Sequence, residues 1–174
     1  LVVDPAATKP DPDERIFVIT MVDAFPDPSR TPPGDDVFEP AINGLGWPHT
    51  ERLSYRVSET VRWRWVNASG FEHPMHLHGF HFRATATGDP DGEVFPEPDE
   101  VRTVVTEHMQ PGSTFRMEWR PTRPGNWLMH CHIRDHVIPD PERDAESRGH
   151  DMHDVTRHPL EAMAGLVMGI TVSD

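Results

Sequence analysis

The chain has 174 residues, enough for one domain with its own core, and combines 19 Pro and 12 Gly with 36% hydrophobic and 26% charged residues. Its 29 Asp and Glu against 16 Lys and Arg leave a formal charge of -13, which disfavours nucleic acid and anionic membrane surfaces as partners. A single cysteine, Cys131, rules out an intrachain disulfide, and the polar composition argues against insertion in a membrane.

Residues 1–13 (LVVDPAATKPDPD) are rich in Pro and Asp and read as a linker or the end of a preceding segment, with residues 14–174 forming a single domain. The start at Leu1, with no charged and apolar leader, is expected to be an excision point within a longer polypeptide. Arg15 to Val22 (RIFVITMV) is the first expected strand. A turn-rich stretch from Asp23 to Gly46 follows, then strands at Arg52 to Arg56 and Thr60 to Asn67. In the second of these Val61, Trp63 and Trp65 alternate with Arg62 and Arg64, which predicts one dry face and one wet face. Further strands are expected at 74–85, 102–107, 114–119, 126–131 and 165–173, each bounded by Pro, Gly or Asp. Short strands at this spacing, with no long amphipathic helix, predict an all-β sandwich or barrel. Residues 137–158 (VIPDPERDAESRGHDMHDVTRH) break the rhythm; polar and charged between two apolar strands, they read as an inserted surface loop.

Twelve histidines would each be unremarkable alone, but seven metal-ligand types fall in two short runs. His73, His76 and His78 lie in EHPMHLHGFHF, and His130, Cys131, His132 and His136 lie in LMHCHIRDH. Nitrogen and thiolate donors so clustered indicate a transition-metal site. Side chains alternate faces along a strand, so His130 and His132 point one way and Cys131 the other. One strand end therefore serves two sites. Cys131 with His136 and His73 makes the trigonal two-histidine, one-cysteine set that suits a blue-copper electron-transfer centre. His130 and His132 face His76 and His78 in a second set, and the Cys–His peptide between the sets is a short covalent route for electrons. Zinc also accepts Cys and His, but structural zinc sites close one tetrahedron, and seven ligands overfill it.

HPMHLHGFHF and NWLMHCHIRDH closely resemble the two copper motifs in the C-terminal cupredoxin domain of multicopper oxidases such as laccases; WPHTERLSY, WRWVNAS and MAGLVMGITV are similar to that family as well. The resemblance covers most of the chain after about residue 14 and implies a Greek-key cupredoxin fold with copper as cofactor. By position it makes His73, Cys131 and His136 type 1 copper ligands, His76 a type 2 ligand, and His78, His130 and His132 type 3 ligands. Where the family usually has an apolar residue or Met five positions beyond the last type 1 His, this chain has Pro141, which cannot ligate copper. The resemblance is kept if the insertion displaces the axial ligand to Met163, just before the last strand; a thioether there would lower the potential relative to a non-ligating residue. The alternative is a Met163 that fills an apolar gap in the core. His158 also precedes Met163 by five, but HCHxxxH is intact and the short loop from Cys131 to His136 costs less ordering, which favours His136. His150, Met152 and His153 in the insertion could recruit copper, but a solvated loop is the preferred reading of that segment.

The resemblance implies that the oxygen-reducing cluster takes its remaining four histidines from a further HxHG and a further HxH motif in another domain, beyond the one HLHG (residues 76–79) and the one HCH (residues 130–132) of this chain, whose histidines are already assigned above. The resemblance therefore implies a partner, another cupredoxin domain carrying those motifs in the same polypeptide or a neighbouring subunit, together with a small reducing substrate, O2, and a periplasmic or secreted location. The substrate is expected to approach the exposed edges of His73 or His136. A stand-alone electron shuttle would have no use for His76, His78, His130 and His132, and a copper nitrite reductase relative matches the Cys–His pair only in part. His49, His81 and His108 have no ligand spacing and read as structural or surface residues; Trp63, Trp65 and Trp119 read as core.

Overall fold

A computed structural model describes residues 11–23, 38–138 and 163–174. The proposed insertion beyond Ile138, with Pro141, His150, Met152, His153 and His158, lies outside the described residues, as does the expected linker before Asp11. Among the described residues twelve strands form two sheets. They are β1 (Glu14–Asp23), β2 (Phe38–Ile42), β3 (Leu53–Arg56), β4 (Val61–Asn67), β5 (His73–Leu77), β6 (Phe82–Asp89), β7 (Gly92–Val94), β8 (Arg102–Val104), β9 (Thr106–Met109), β10 (Thr114–Trp119), β11 (Gly125–Cys131) and β12 (Val167–Ser173). The first sheet runs β2-β1-β4-β10-β6-β7, with β8 also on β6, and the second runs β3-β12-β11-β5-β9. Pairs β1–β4 and β12–β3 are parallel and the rest antiparallel. No helix among the described residues is long and apolar enough to cross a membrane.

The expected sandwich is present, and its core follows from strand alternation. Phe17, Ile19, Trp63, Trp65, Phe82, Phe115 and Met117 project inward from the first sheet, and Met75, Leu77, Met129, Ile170 and Val172 from the second, all buried in one cluster. Trp63 donates its indole N–H to the Tyr55 hydroxyl at 2.9 Å, one way a large aromatic is buried without leaving its polar handle unpaired.

Three expectations need correction. The run 74–85 is two strands, because its halves belong to different layers: β5 pairs with β11 and β9, while β6 pairs with β10. The run 102–107 divides at Val105 for the same reason, β8 joining β6 and β9 joining β5. The face expected to be wet on β4 is wet only at Arg62; Arg64 is 5% exposed. Its guanidinium donates to Glu14 at 2.6 Å, and Arg116 bridges Glu14 and Glu93 at 3.0 and 2.8 Å, so paired charge lets this surface bury.

Candidate metal centre

The two histidine-bearing segments are neighbouring strands. In the β5–β11 ladder His130 pairs with His76, and Cys131 with Met75. Paired residues share a face, so His76 and His130 both point away from the core while Met75 and Cys131 point into it. The burial of β5 alternates accordingly, His73, Met75 and Leu77 being buried and the residues between them half-buried. Beyond β11 a single 3-10 turn, Arg134–His136, reverses the chain and returns His136 to Cys131. The turn is held by the amide of Leu166, which donates to the His136 carbonyl at 2.9 Å, and that of Ala164, which donates to Val137 at 3.0 Å.

The inward set is compact. His73 Nδ1 and His136 Nδ1 lie 3.1 Å apart, and Cys131 Sγ lies 3.8 and 3.6 Å from them. It is the one set of three such ligand atoms found within 4.8 Å of one another among the described residues. A metal with bonds of about 2.0–2.1 Å to nitrogen and about 2.3 Å to sulfur, trigonal in one plane, spaces its donors by ~3.5 Å (N to N) and ~3.8 Å (N to S). The residues therefore fit such an ion with little movement, and two imidazoles with one thiolate are the donors of a blue-copper site.

Electrostatics agree with that use. Burial pushes the His73 imidazole down to about 4, helped by the neighbouring His136, and burial also lowers His136 against the opposing pull of Asp135. Both rings are thus neutral, lone-pair donors at neutral pH. Burial pushes the Cys131 thiol up to about 11, partly offset by the amides of Ile133 and His132. The Ile133 N–H donates to Sγ at 3.4 Å. A free thiolate is thus unfavourable here, and a cation is what would make it favourable.

The outward set is open. His78 Nε2 lies 2.8 Å from His130 Nε2, and the His76 and His132 ring centroids are 4.4 Å apart. His132 is exposed and the other three half-buried. Burial lowers His76 and His78, each also repelled by His132, and pushes His130 down to about 4. The His130 Nδ1–H donates to the Cys131 carbonyl at 2.7 Å, which leaves its Nε2 facing His78. His76 Nδ1 lies 2.9 Å from Thr106 Oγ1.

The structure thus brings together seven of the eight expected ligands. Met163 is half-buried, adjacent to the residue bonded to Val137, on the segment whose Leu166 carbonyl accepts from the Cys131 amide at 3.1 Å. His49, His81 and His108 are exposed, as expected, and His108 pairs with Glu72 at 3.0 Å. One expectation fails: His73 is 0% exposed, so a substrate cannot reach its edge. His136 remains half-buried, with the exposed Phe71 ring edge-on to it at 6.0 Å. Sequence reading missed Ser69 and Thr106, whose hydroxyls contact the His73 and His76 rings, and Asn67, which bonds to Ser69. For Ser69 the available signal was a hydroxyl four residues before His73.

A family profile described as "Multicopper oxidase" matches residues 18–139. Ceruloplasmin of Rattus norvegicus is 29% identical over 136 residues, covering 73% of this chain and 12% of that protein. The iron transport multicopper oxidase fetC of Epichloe festucae is 31% identical over 116 residues, covering 60% of this chain and 18% of that protein. The chain thus spans under a fifth of the length of these curated relatives. The crystal structure of Blue Copper Oxidase from Nitrosomonas europaea superposes with a TM-score of 0.66 at 20% identity, covering 91% of this chain and 43% of that one, which shows a shared cupredoxin-type fold.

Proposed function

Because this chain belongs to the multicopper oxidase family, which implies copper as its metal, we propose that residues 14–174 are one cupredoxin domain holding the electron-entry copper and half of an oxygen-reducing cluster. His73, Cys131 and His136 hold the type 1 copper with Met163 as the axial ligand. Outside, His76 is the type 2 ligand and His78, His130 and His132 are type 3 ligands. When bound, copper supplies one-electron exchange with a small reducing substrate at the buried site and reduction of O2 at the outward one.

The observation that carries this reading is the turn of faces at the end of β11: Cys131 is buried beside His73 and His136, while His130 and His132 stand on the outer surface with His76 and His78. The chain's own contributions follow from that placement. Neutral imidazoles and a thiol buried in a nearly preformed triangle bind the ion with little ordering cost. The two peptide bonds flanking Cys131, and the hydrogen bond from His130 Nδ1 to the Cys131 carbonyl, join the two sets covalently and by a 2.7 Å contact. Phe71 and His136 present the edge at which a reductant can approach, His73 being sealed. The outward four are open to the surface, which suits completion by a second cupredoxin domain carrying HxHG and HxH motifs, from the same polypeptide or a neighbouring subunit. A periplasmic or secreted setting goes with this reading on the strength of the family likeness.

The test is the visible absorption and EPR spectrum of the chain titrated with copper(II), wild type against Cys131→Ser. An intense blue band present in wild type and lost in the variant is expected. A wild-type chain that binds copper but gives no blue band, or a band that survives in Cys131→Ser, refutes the type 1 assignment.

A further inference from the structure

Asn67 sits at the end of β4, 0% exposed, and its amide orientation is fixed by its surroundings. Its Nδ2 faces two carbonyl oxygens, those of Phe71 at 2.7 Å and Gln110 at 3.0 Å, which can only accept. Its Oδ1 therefore points at Ser69, accepting the Ser69 amide at 3.0 Å and standing 2.7 Å from Ser69 Oγ. An amide oxygen cannot donate, so the hydroxyl proton belongs to that contact. The Phe71 carbonyl, 3.2 Å from Oγ, is a longer alternative acceptor, and donation there has the same effect. Either way Ser69 Oγ has spent its one proton and offers only lone pairs to His73 Nε2, 2.7 Å away.

It follows that Nε2 of His73 carries the ring proton and Nδ1, the atom facing Cys131 and His136, is bare. With Ser69 8% and His73 0% exposed, bulk water has little room to supply an alternative partner. We infer that Asn67 and Ser69 form a tautomer lock, positioning residues that act on the metal site only through His73. The backbone of Asn67 bonds to Ser113 and Gly112 at 2.9 and 3.0 Å, so the β9–β10 turn braces the lock. This deepens the type 1 assignment: the tautomer follows from hydrogen bonding alone, and only its consequence for copper rests on that reading. A ring held in the ligating tautomer binds metal without first exchanging its proton between nitrogens.

The experiment uses the full chain, labelled with 15N and free of metal, and reads the His73 ring by long-range proton–nitrogen correlation. A single Nε2–H tautomer is expected in wild type. In Ser69→Ala the ring should become a mixture of tautomers and copper(II) affinity should fall about 10- to 100-fold; Ser69→Thr, which keeps the hydroxyl, should restore both. A merely structural serine would lower stability in Ser69→Ala and leave the ring signals and the affinity unchanged, which overturns the lock. An Nδ1–H tautomer in wild type overturns it as well, without need of any variant. A correct tautomer that shifts in Ser69→Ala, in a chain that never turns blue, upholds the lock and refutes the type 1 reading instead.

Discussion

Gly165, two residues before β12, passes close to the turn that ends at His136, and replacing it with Ala tests whether that close passage holds His136 in place. Its φ is +60°, and a Cβ built there falls inside contact distance of the His136 carbonyl oxygen, a backbone atom with no freedom to swing away. The left-handed conformation alone costs an alanine about 1–2 kcal/mol. Pushing the His136 carbonyl aside also forfeits its 2.9 Å bond from the Leu166 amide, worth about 1 kcal/mol. The sum is about 2–3 kcal/mol, which at a urea slope near 2 kcal/mol per molar lowers the unfolding midpoint by about 1–1.5 M. Gly44→Ala is the control: φ is +83°, but nothing lies within 4 Å of the added carbon, so only the backbone term applies and the midpoint falls by about 0.5–1 M. Because His136 moves in the first variant and not the second, the copper(II)-induced blue absorption should weaken only in Gly165→Ala. Equal midpoint shifts in the two variants, with equal absorption, would refute the argument that this glycine positions the ligand.

Acid should destabilise the metal-free chain through its buried imidazoles. His73 and His130 are held near 4 in the folded state against about 6.5 in an unfolded chain, so between those values the unfolded state binds more protons. Stability is then complete above about pH 6.5 and is lost as the pH falls towards about 4, reinforced by the lowered His76, His78 and His136; urea midpoints that stay flat through that window contradict it. Replacing His76 or His132 by Ala removes donors from the outward face only and should leave the Cys131-dependent absorption in place, whereas His136→Ala should abolish it; loss of the band in all three would mean the two sets are not separate sites.

Much of the site was legible because its logic is local. The spacing HxH beside HCH, with strand alternation, sorts His130 and His132 from Cys131 without any knowledge of the fold, and β5 and β11 carry out that sorting. Strand boundaries were less legible where a run of suitable residues crosses between layers, as at Val105, since periodicity along the chain says nothing about which sheet a strand joins. β2 was hidden in a segment rich in Pro and Gly, and Phe38–Ile42 is a strand because β1 pairs with it, a tertiary cause. The burial of Arg64 depends on Glu14, fifty positions away, which no local pattern reveals. The Asn67–Ser69 pair was passed over because neither residue is a ligand; their importance is in which proton they hold, and that required the surrounding carbonyls to be seen.

The placement of two sets of donor side chains on opposite faces of one strand end also constrains how this chain can change. A strand slipped by one residue exchanges its inner and outer faces. A single insertion or deletion within Gly125–Cys131 would therefore turn the thiol outward and the flanking imidazoles inward, breaking up both sets of donor side chains together. Added length past the strand, after the turn that ends at His136, leaves the register of β11 unchanged, and the long polar segment of this chain follows that turn in the sequence. Within β11 a change of length therefore changes which side chains face inward, whereas beyond His136 it leaves that order untouched.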